Sequence, residues 1–117
     1  MFIATGVGVW LFYIQHQFPN AYWEKSTDWD FLDSALAGSS FYDIGPVLHW
    51  FSANIGYHHI HHLDTKIPNY RLPECHRNEP DIVAQNRFTL SDSLEFYRLK
   101  LWDEDKKRMV SFAERKR

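Results

Sequence analysis

The stretch Asn54-Ile55-Gly56-Tyr57-His58-His59-Ile60-His61-His62-Leu63 holds four of the seven histidines in the 117-residue chain, and its reading governs that of the rest. It contains the pattern H-x-x-H-H. On an α-helix successive residues turn by about 100°, so His58, His61 and His62 fall within an arc of about 100° on one face. Three imidazoles crowded together suffer desolvation and, once protonated, mutual repulsion. Coordination of a metal ion through their neutral nitrogens relieves both, and imidazole suits Fe, Zn, Cu and Ni. The competing reading is a solvated histidine run or an affinity tag. Tags sit at termini, whereas this run is internal and follows an apolar stretch. His59 points off the shared face and reads as a supporting or structural residue.

Moving upstream, Pro46 suits the first turn of a helix running through Val47, Leu48, Trp50 and Phe51, after a break at Ser39, Ser40 and Gly45. His49 precedes His58 by nine residues and lies about a quarter turn off its face, which makes it a packing residue or a support for a ligand. Thr27 followed by Asp30 resembles a capping signal, and Trp29, Leu32 and Leu36 then recur at helical spacing up to Gly38. The apolar ridge of that short helix suits either a protein core or a membrane interface. Residues 15–26 have no period and read as a connecting loop.

All thirteen Lys and Arg lie at Lys25 or later, and no charged side chain precedes Glu24. Residues 1–13 (MFIATGVGVWLFY) are almost wholly apolar, yet at about 1.5 Å per residue they cover only about 20 Å of the roughly 30 Å hydrocarbon core of a bilayer. Such a segment cannot span alone. One reading makes it a buried element of a soluble fold. Trp10, Phe12 and Tyr13 favour another, the end of a transmembrane helix over residues 1–14, because aromatic rings collect where a helix leaves the bilayer. The excess of basic residues beyond it then places everything after about residue 15 on the cytoplasmic side of an integral membrane protein. The basic start and small-residue cleavage site of a signal peptide are missing. His16 sits where the apolar segment emerges; alone, it reads as a helix cap or an interface residue.

Downstream, Pro68, Asn69, Pro73 and Pro80 exclude one long helix and predict turns with one short helical piece. Ser91 or Ser93 suits the cap of a later helix in which Leu94, Tyr97, Leu99 and Leu101 alternate with Glu95, Arg98 and Lys100. Residues 103–117 mix both charge signs and read as a frayed surface segment. The fold class expected is therefore mainly α.

Other chemistry finds no support. A net charge of −2 gives no basic excess for nucleic acid, and the single cysteine, Cys75, has no partner for a disulfide or a zinc ribbon. His76 beside it makes no site. There is no glycine-rich phosphate loop, G-x-S-x-G or H-E-x-x-H. Asp28, Asp30 and Asp33 are accounted for as helix-start charges.

Residues 54–63, followed by Ile67-Pro68-Asn69-Tyr70, resemble the third histidine box of membrane fatty acid desaturases, with the acyl-lipid Δ12/ω-6 branch the nearest match. Tyr13-Ile14-Gln15-His16, followed by Trp29, Asp30 and Leu32, is similar to the segment after that family's last transmembrane helix. Leu99-Lys100-Leu101-Trp102-Asp103-Glu104 continues the resemblance. The resemblance implies that residues 15–117 are the cytosolic metal-binding and tail region of a helical membrane desaturase fold. It implies that His58, His61 and His62 are iron ligands, and it makes His16 a fourth. The activity implied is that of a di-iron centre, which uses dioxygen to remove two hydrogens from an acyl-lipid or fatty acyl substrate and leave a cis double bond. Ferredoxin or cytochrome b5 would supply the electrons. Asn54 and Asn69 either orient ligand nitrogens or serve as polar turn residues. The family carries two earlier histidine boxes and several complete transmembrane helices, which this chain lacks. It therefore reads as a C-terminal fragment, inactive in isolation. The alternatives are another histidine-box membrane oxygenase, such as an alkane or carotenoid hydroxylase, and a non-catalytic soluble metal-binding fragment.

Overall fold

The apolar N-terminal run forms a helix, α1 (Phe2–His16), which stops just before Pro19. Its first turns expose Phe2, Ile3, Val7 and Val9, whereas Ile14 and Gln15 near its end are fully buried. One helix thus has an unpartnered end and a core end. The computed structural model describes residues 1–82 and 86–115. Among them no helix is long and apolar enough to cross a membrane, in keeping with the length of the apolar run.

The core forms where α1 meets two short strands. Ile14, Phe18, Ala21, Tyr42 and Phe88 are buried together, with Trp10, Tyr13, Ile44 and Met109 packed around them. Strand β1 (Phe41–Asp43) pairs in parallel with β2 (Arg87–Thr89), Tyr42 opposite Phe88. The buried Tyr42 hydroxyl meets the Ser93 hydroxyl at 2.9 Å, so neither is left without a partner in the core.

Between α1 and β1 lies α2 (Phe31–Ala37). It begins at Asp30, whose carboxylate accepts hydrogen bonds from the Leu32 and Asp33 amides at 2.8 and 3.0 Å. The capping signal predicted at Thr27 is therefore displaced by three residues, because Asp30 supplies the oxygen that the free amides need. Beyond β1 come α3 (Gly45–Phe51), started by Pro46 as predicted, and α4 (His58–Leu63). A single-turn 3-10 segment (Asn69–Arg71) leads into α5 (Leu72–Asn78), the short helical piece expected in the proline-rich stretch.

The C-terminal part differs most from expectation. Helix α6 (Leu90–Phe96) starts on a capping box of Thr89 and Asp92 instead of Ser91 or Ser93, and Ser93 turns inward to Tyr42. Leu99 and Leu101 do not extend it. They lie on β3 (Leu99–Asp103), which pairs antiparallel with β4 (Arg108–Ser111) before a last turn of helix, α7 (Phe112–Arg115). The predicted frayed tail is a hairpin because Asp103 accepts from the Asp105 and Lys106 amides and Lys107 takes a left-handed φ of 47°, closing the turn. Tyr13 donates to the Leu99 carbonyl at 3.1 Å, and the Met109 amide donates to the Pro19 carbonyl at 2.9 Å. These bonds hold the hairpin against α1. Lys116 and Arg117, also read as frayed tail, lie outside the described residues. About half the chain is helical, with two two-stranded sheets that the mainly α expectation did not include.

Candidate metal centre

Two elements bring the histidines together. His16 is the last residue of α1, and His58 and His62 lie one turn apart on α4. Helix α4 is fixed by its N-terminal flank: Tyr57 bridges Phe41, and the Tyr42 amide donates to the Gly56 carbonyl at 2.8 Å. Gly56 is required there, because a Cβ would come within 2.4 Å of the His49 ring and 2.5 Å of the Tyr42 carbonyl oxygen. The turn before it passes through Ala53 and Asn54 at φ of 53° and 58°. Asparagine tolerates that region; for alanine it costs roughly 1–2 kcal/mol.

The His58 Nε2 lies 3.0 Å from His16 Nε2 and 3.1 Å from His62 Nε2. The three donor atoms fall within 4.8 Å of one another. The rings meet edge to face at centroid separations of 4.8, 5.0 and 4.5 Å. For metal–nitrogen bonds of about 2.0–2.1 Å, ligands around one ion sit about 2.9 Å apart at 90° and about 3.4 Å apart at the tetrahedral angle. The two separations from His58 lie between these values, so His58 is at ligand spacing with each neighbour, and the three donor atoms form a cluster that could hold a metal ion.

Their protonation states agree with the geometry. Burial lowers the His58 imidazole to about 2, and the neighbouring His16, His62, His61 and His59 push in the same direction. Burial also lowers His16, with the Gly38 backbone opposing it, and lowers His62 with help from His16 and His61. At neutral pH these rings are neutral donors, the form a metal needs.

Of the predicted ligands, the structure brings His16, His58 and His62 to one point and leaves His61 outside it. The His61 ring stands 5.8 Å from that of His58 and lines an apolar cavity next to the cluster. Asn54 donates its side-chain amide to the Asn69 carbonyl at 3.1 Å, which ties the turn before α4 to the segment after it. Sequence reasoning did not reveal a second histidine group. His49, His59 and His76 surround Phe41, at ring separations of 6.0, 6.2 and 4.7 Å. Nothing in the spacing of these three residues signals that they share one aromatic ring.

Fold and site together define a helical protein with a polyhistidine cluster whose geometry suits a metal ion. The family model described as fatty acid desaturase matches residues 1–93, and the chain belongs to that family. It is 44% identical over 110 residues to a fatty acid desaturase of Bacillus subtilis (strain 168). That alignment covers 94% of this chain and 31% of the relative, so the chain spans about a third of the relative's length. No solved structure matches it.

Proposed function

We propose that this chain forms the metal-binding part of a fatty acid desaturase of the acyl-lipid Δ12/ω-6 type, in which His16, His58 and His62 hold one iron and His61 serves a second. The observation that carries this reading is the meeting of an α1 histidine with the i, i+4 pair of α4, with His58 Nε2 at 3.0 and 3.1 Å from the other two and all three donor atoms within 4.8 Å. When bound, iron supplies the dioxygen-dependent removal of two hydrogens that leaves a cis double bond.

The chain's own residues do the rest. Burial keeps His58 unprotonated, and α4 holds its ring between His16 and His62 without rearrangement. Largely apolar walls lie beside the cluster, next to His58 and His61. Residues 1–14 continue a transmembrane helix, and residues 15–117 lie on its cytoplasmic side, where ferredoxin or cytochrome b5 reaches the site. The remaining ligands come from other segments of the desaturase.

The test is a chimaera in which this chain replaces the matching segment of the Bacillus subtilis relative, assayed by fatty acid analysis of host membranes. The expected result is a cis-unsaturated product that disappears in the His58→Ala chimaera. Unsaturation that survives His58→Ala removes the site assignment.

A further inference from the structure

The end of α1 and the start of α4 carry the cluster histidines, and each leaves a backbone group that its own helix does not satisfy. The last carbonyls of an α-helix have no donor within it, and the residue four beyond Gln15 is Pro19, which has no N–H. The first amides of an α-helix lack an acceptor in the same way, and Tyr57, which precedes α4, provides no side-chain cap. Gln15 and His59 are both fully buried, so water does not take the place of a partner for the Gln15 carbonyl or the His59 amide.

One residue serves both groups. The hydroxyl of Ser40, itself fully buried, donates to the Gln15 carbonyl, and the Ser40 carbonyl accepts from the His59 amide, each at 3.4 Å. Long as these bonds are, they join the residue before His16 to the residue after His58. The Gly38 backbone, in the same loop, lies beside the His16 ring. The loop is anchored on either side. The Ala37 carbonyl accepts from the Tyr22 amide and from the Asn86 side chain, both at 3.1 Å, and the Ser39 hydroxyl donates to the Ala35 carbonyl. After Ser40, the Phe41 amide donates to the Asn86 carbonyl at 2.8 Å. A tie fixed at both ends holds the two helices it joins at a set separation, as a preorganised site requires.

We infer that Ser40 is the positioning residue of the histidine cluster: its hydroxyl fixes the end of α1, its carbonyl fixes the start of α4, and together they set the distance between the His16 and His58 rings. Its effect on metal affinity rests on reading the cluster as a metal centre; its effect on the distance between the rings does not. Groups that hold ligand histidines in place are typically worth about 10–100-fold in metal affinity. Ser40→Ala removes the hydroxyl tie and leaves the carbonyl one, so its effect belongs at the lower end of that range.

The test compares Ser40→Ala with Ser39→Ala in the 117-residue chain in detergent micelles. Ser39→Ala removes a buried hydrogen bond one residue away and leaves both ties in place, so it controls for a general loss of stability. Proton cross-relaxation between the His16 and His58 rings of the metal-free chain is expected in the wild type and in Ser39→Ala, and its loss in Ser40→Ala. Cobalt(II) affinity should fall about tenfold in Ser40→Ala, with altered visible d–d bands, and stay within about twofold in Ser39→Ala. Ser40→Thr, which keeps the hydroxyl, should restore the ring contact and the bands. A ring contact that survives Ser40→Ala, or is lost equally in Ser39→Ala or Ser40→Thr, overturns the inference. A wild-type chain that binds no cobalt, but whose ring contact is lost in Ser40→Ala alone, supports the positioning role and removes the metal reading. Cobalt bound equally by the wild type and Ser40→Ala, with identical bands, supports the metal reading and overturns the positioning role.

Discussion

Two groups of three histidines lie within one small fold and behave differently. His16, His58 and His62 meet edge to face with Nε2 atoms 3.0 and 3.1 Å apart. His49, His59 and His76 gather around Phe41. His49 and His76 stack on that ring at interplanar angles of 4° and 29°, and His59 meets it at 71°. Burial lowers the proton affinity of both groups, His58 to about 2 and His59 to about 4. For His59 the nearby His76 adds to the effect, and the Ser40 and Ile82 backbones oppose it. Desolvation therefore makes an imidazole neutral in either place. What separates them is where the nitrogens point. Around Phe41 the nitrogens find no common partner, and both nitrogens of His49 and His59 are buried without a hydrogen-bond partner among the described residues. In the other group the Nε2 atoms face one another across 3.0 and 3.1 Å. The first arrangement packs, and the second offers its donors to an ion.

The comparison is broken most severely by removing the ring that organises the packing group. Phe41 is buried, and truncation of a buried phenylalanine costs about 3–5 kcal/mol. Phe41→Ala is expected to lower unfolding free energy by that amount in urea, while the protein that remains folded keeps its cobalt(II) affinity. A loss below about 1 kcal/mol would show that the second group contributes little to stability. Next in size is the binding group itself. His58→Ala should weaken cobalt(II) or iron(II) binding at least about 100-fold, or about 2.7 kcal/mol, whereas His76→Ala should leave it within about twofold. Equal losses from the two variants, read by anaerobic titration, would erase the distinction between the groups.

How much of this was legible depends on the range over which each feature is determined. The i, i+4 relation of His58 and His62 is local to one helix and follows from the H-x-x-H-H spacing. The position of His16 on the same point depends on packing between α1 and α4 across 42 residues, which spacing cannot encode and which entered only through family resemblance. The second group is less legible still. It requires Phe41 to sit in a parallel pair with β2, a contact between residues 41 and 87 that no local pattern announces. The β3–β4 hairpin was misread for a different reason. Leu99 and Leu101 keep the apolar and polar alternation of a strand, but they follow the helical residues of α6 so closely that a helical period absorbed them.

His61 sharpens the contrast from within the motif. Its ring is 5.8 Å from that of His58 and nearly parallel to it at 30°, the relation His49 and His76 have to Phe41 rather than the edge-to-face relation among His16, His58 and His62. His61→Ala is therefore expected to cost less than about tenfold, or about 1.4 kcal/mol, in single-ion affinity of this chain. In the Bacillus chimaera the same variant should abolish desaturation if, as proposed, His61 serves a second iron. A large loss of single-ion affinity would place His61 with His16, His58 and His62.

The smallest expected effect concerns the margin of the packing group. The Arg87 guanidinium lies 5.7 Å from the centre of the Phe41 ring and bonds the Asp43 carboxylate at 2.5 Å. That hydrogen bond, more than the charge of Arg87, holds the Asp43 carboxyl below its ordinary value. A carboxylate lowered in the folded state contributes stability that is complete above its unfolded value of about 3.9 and is lost as pH falls through the folded one. Both side chains are partly exposed, so Arg87→Ala should cost no more than about 1 kcal/mol near neutral pH. Around and below pH 4 the wild-type and variant stabilities should converge, leaving only the contact of Arg87 with Phe41. A difference that persists unchanged at acid pH would assign the whole effect to the aromatic ring, and would make Arg87 part of the Phe41 stack instead of a strap across β1 and β2.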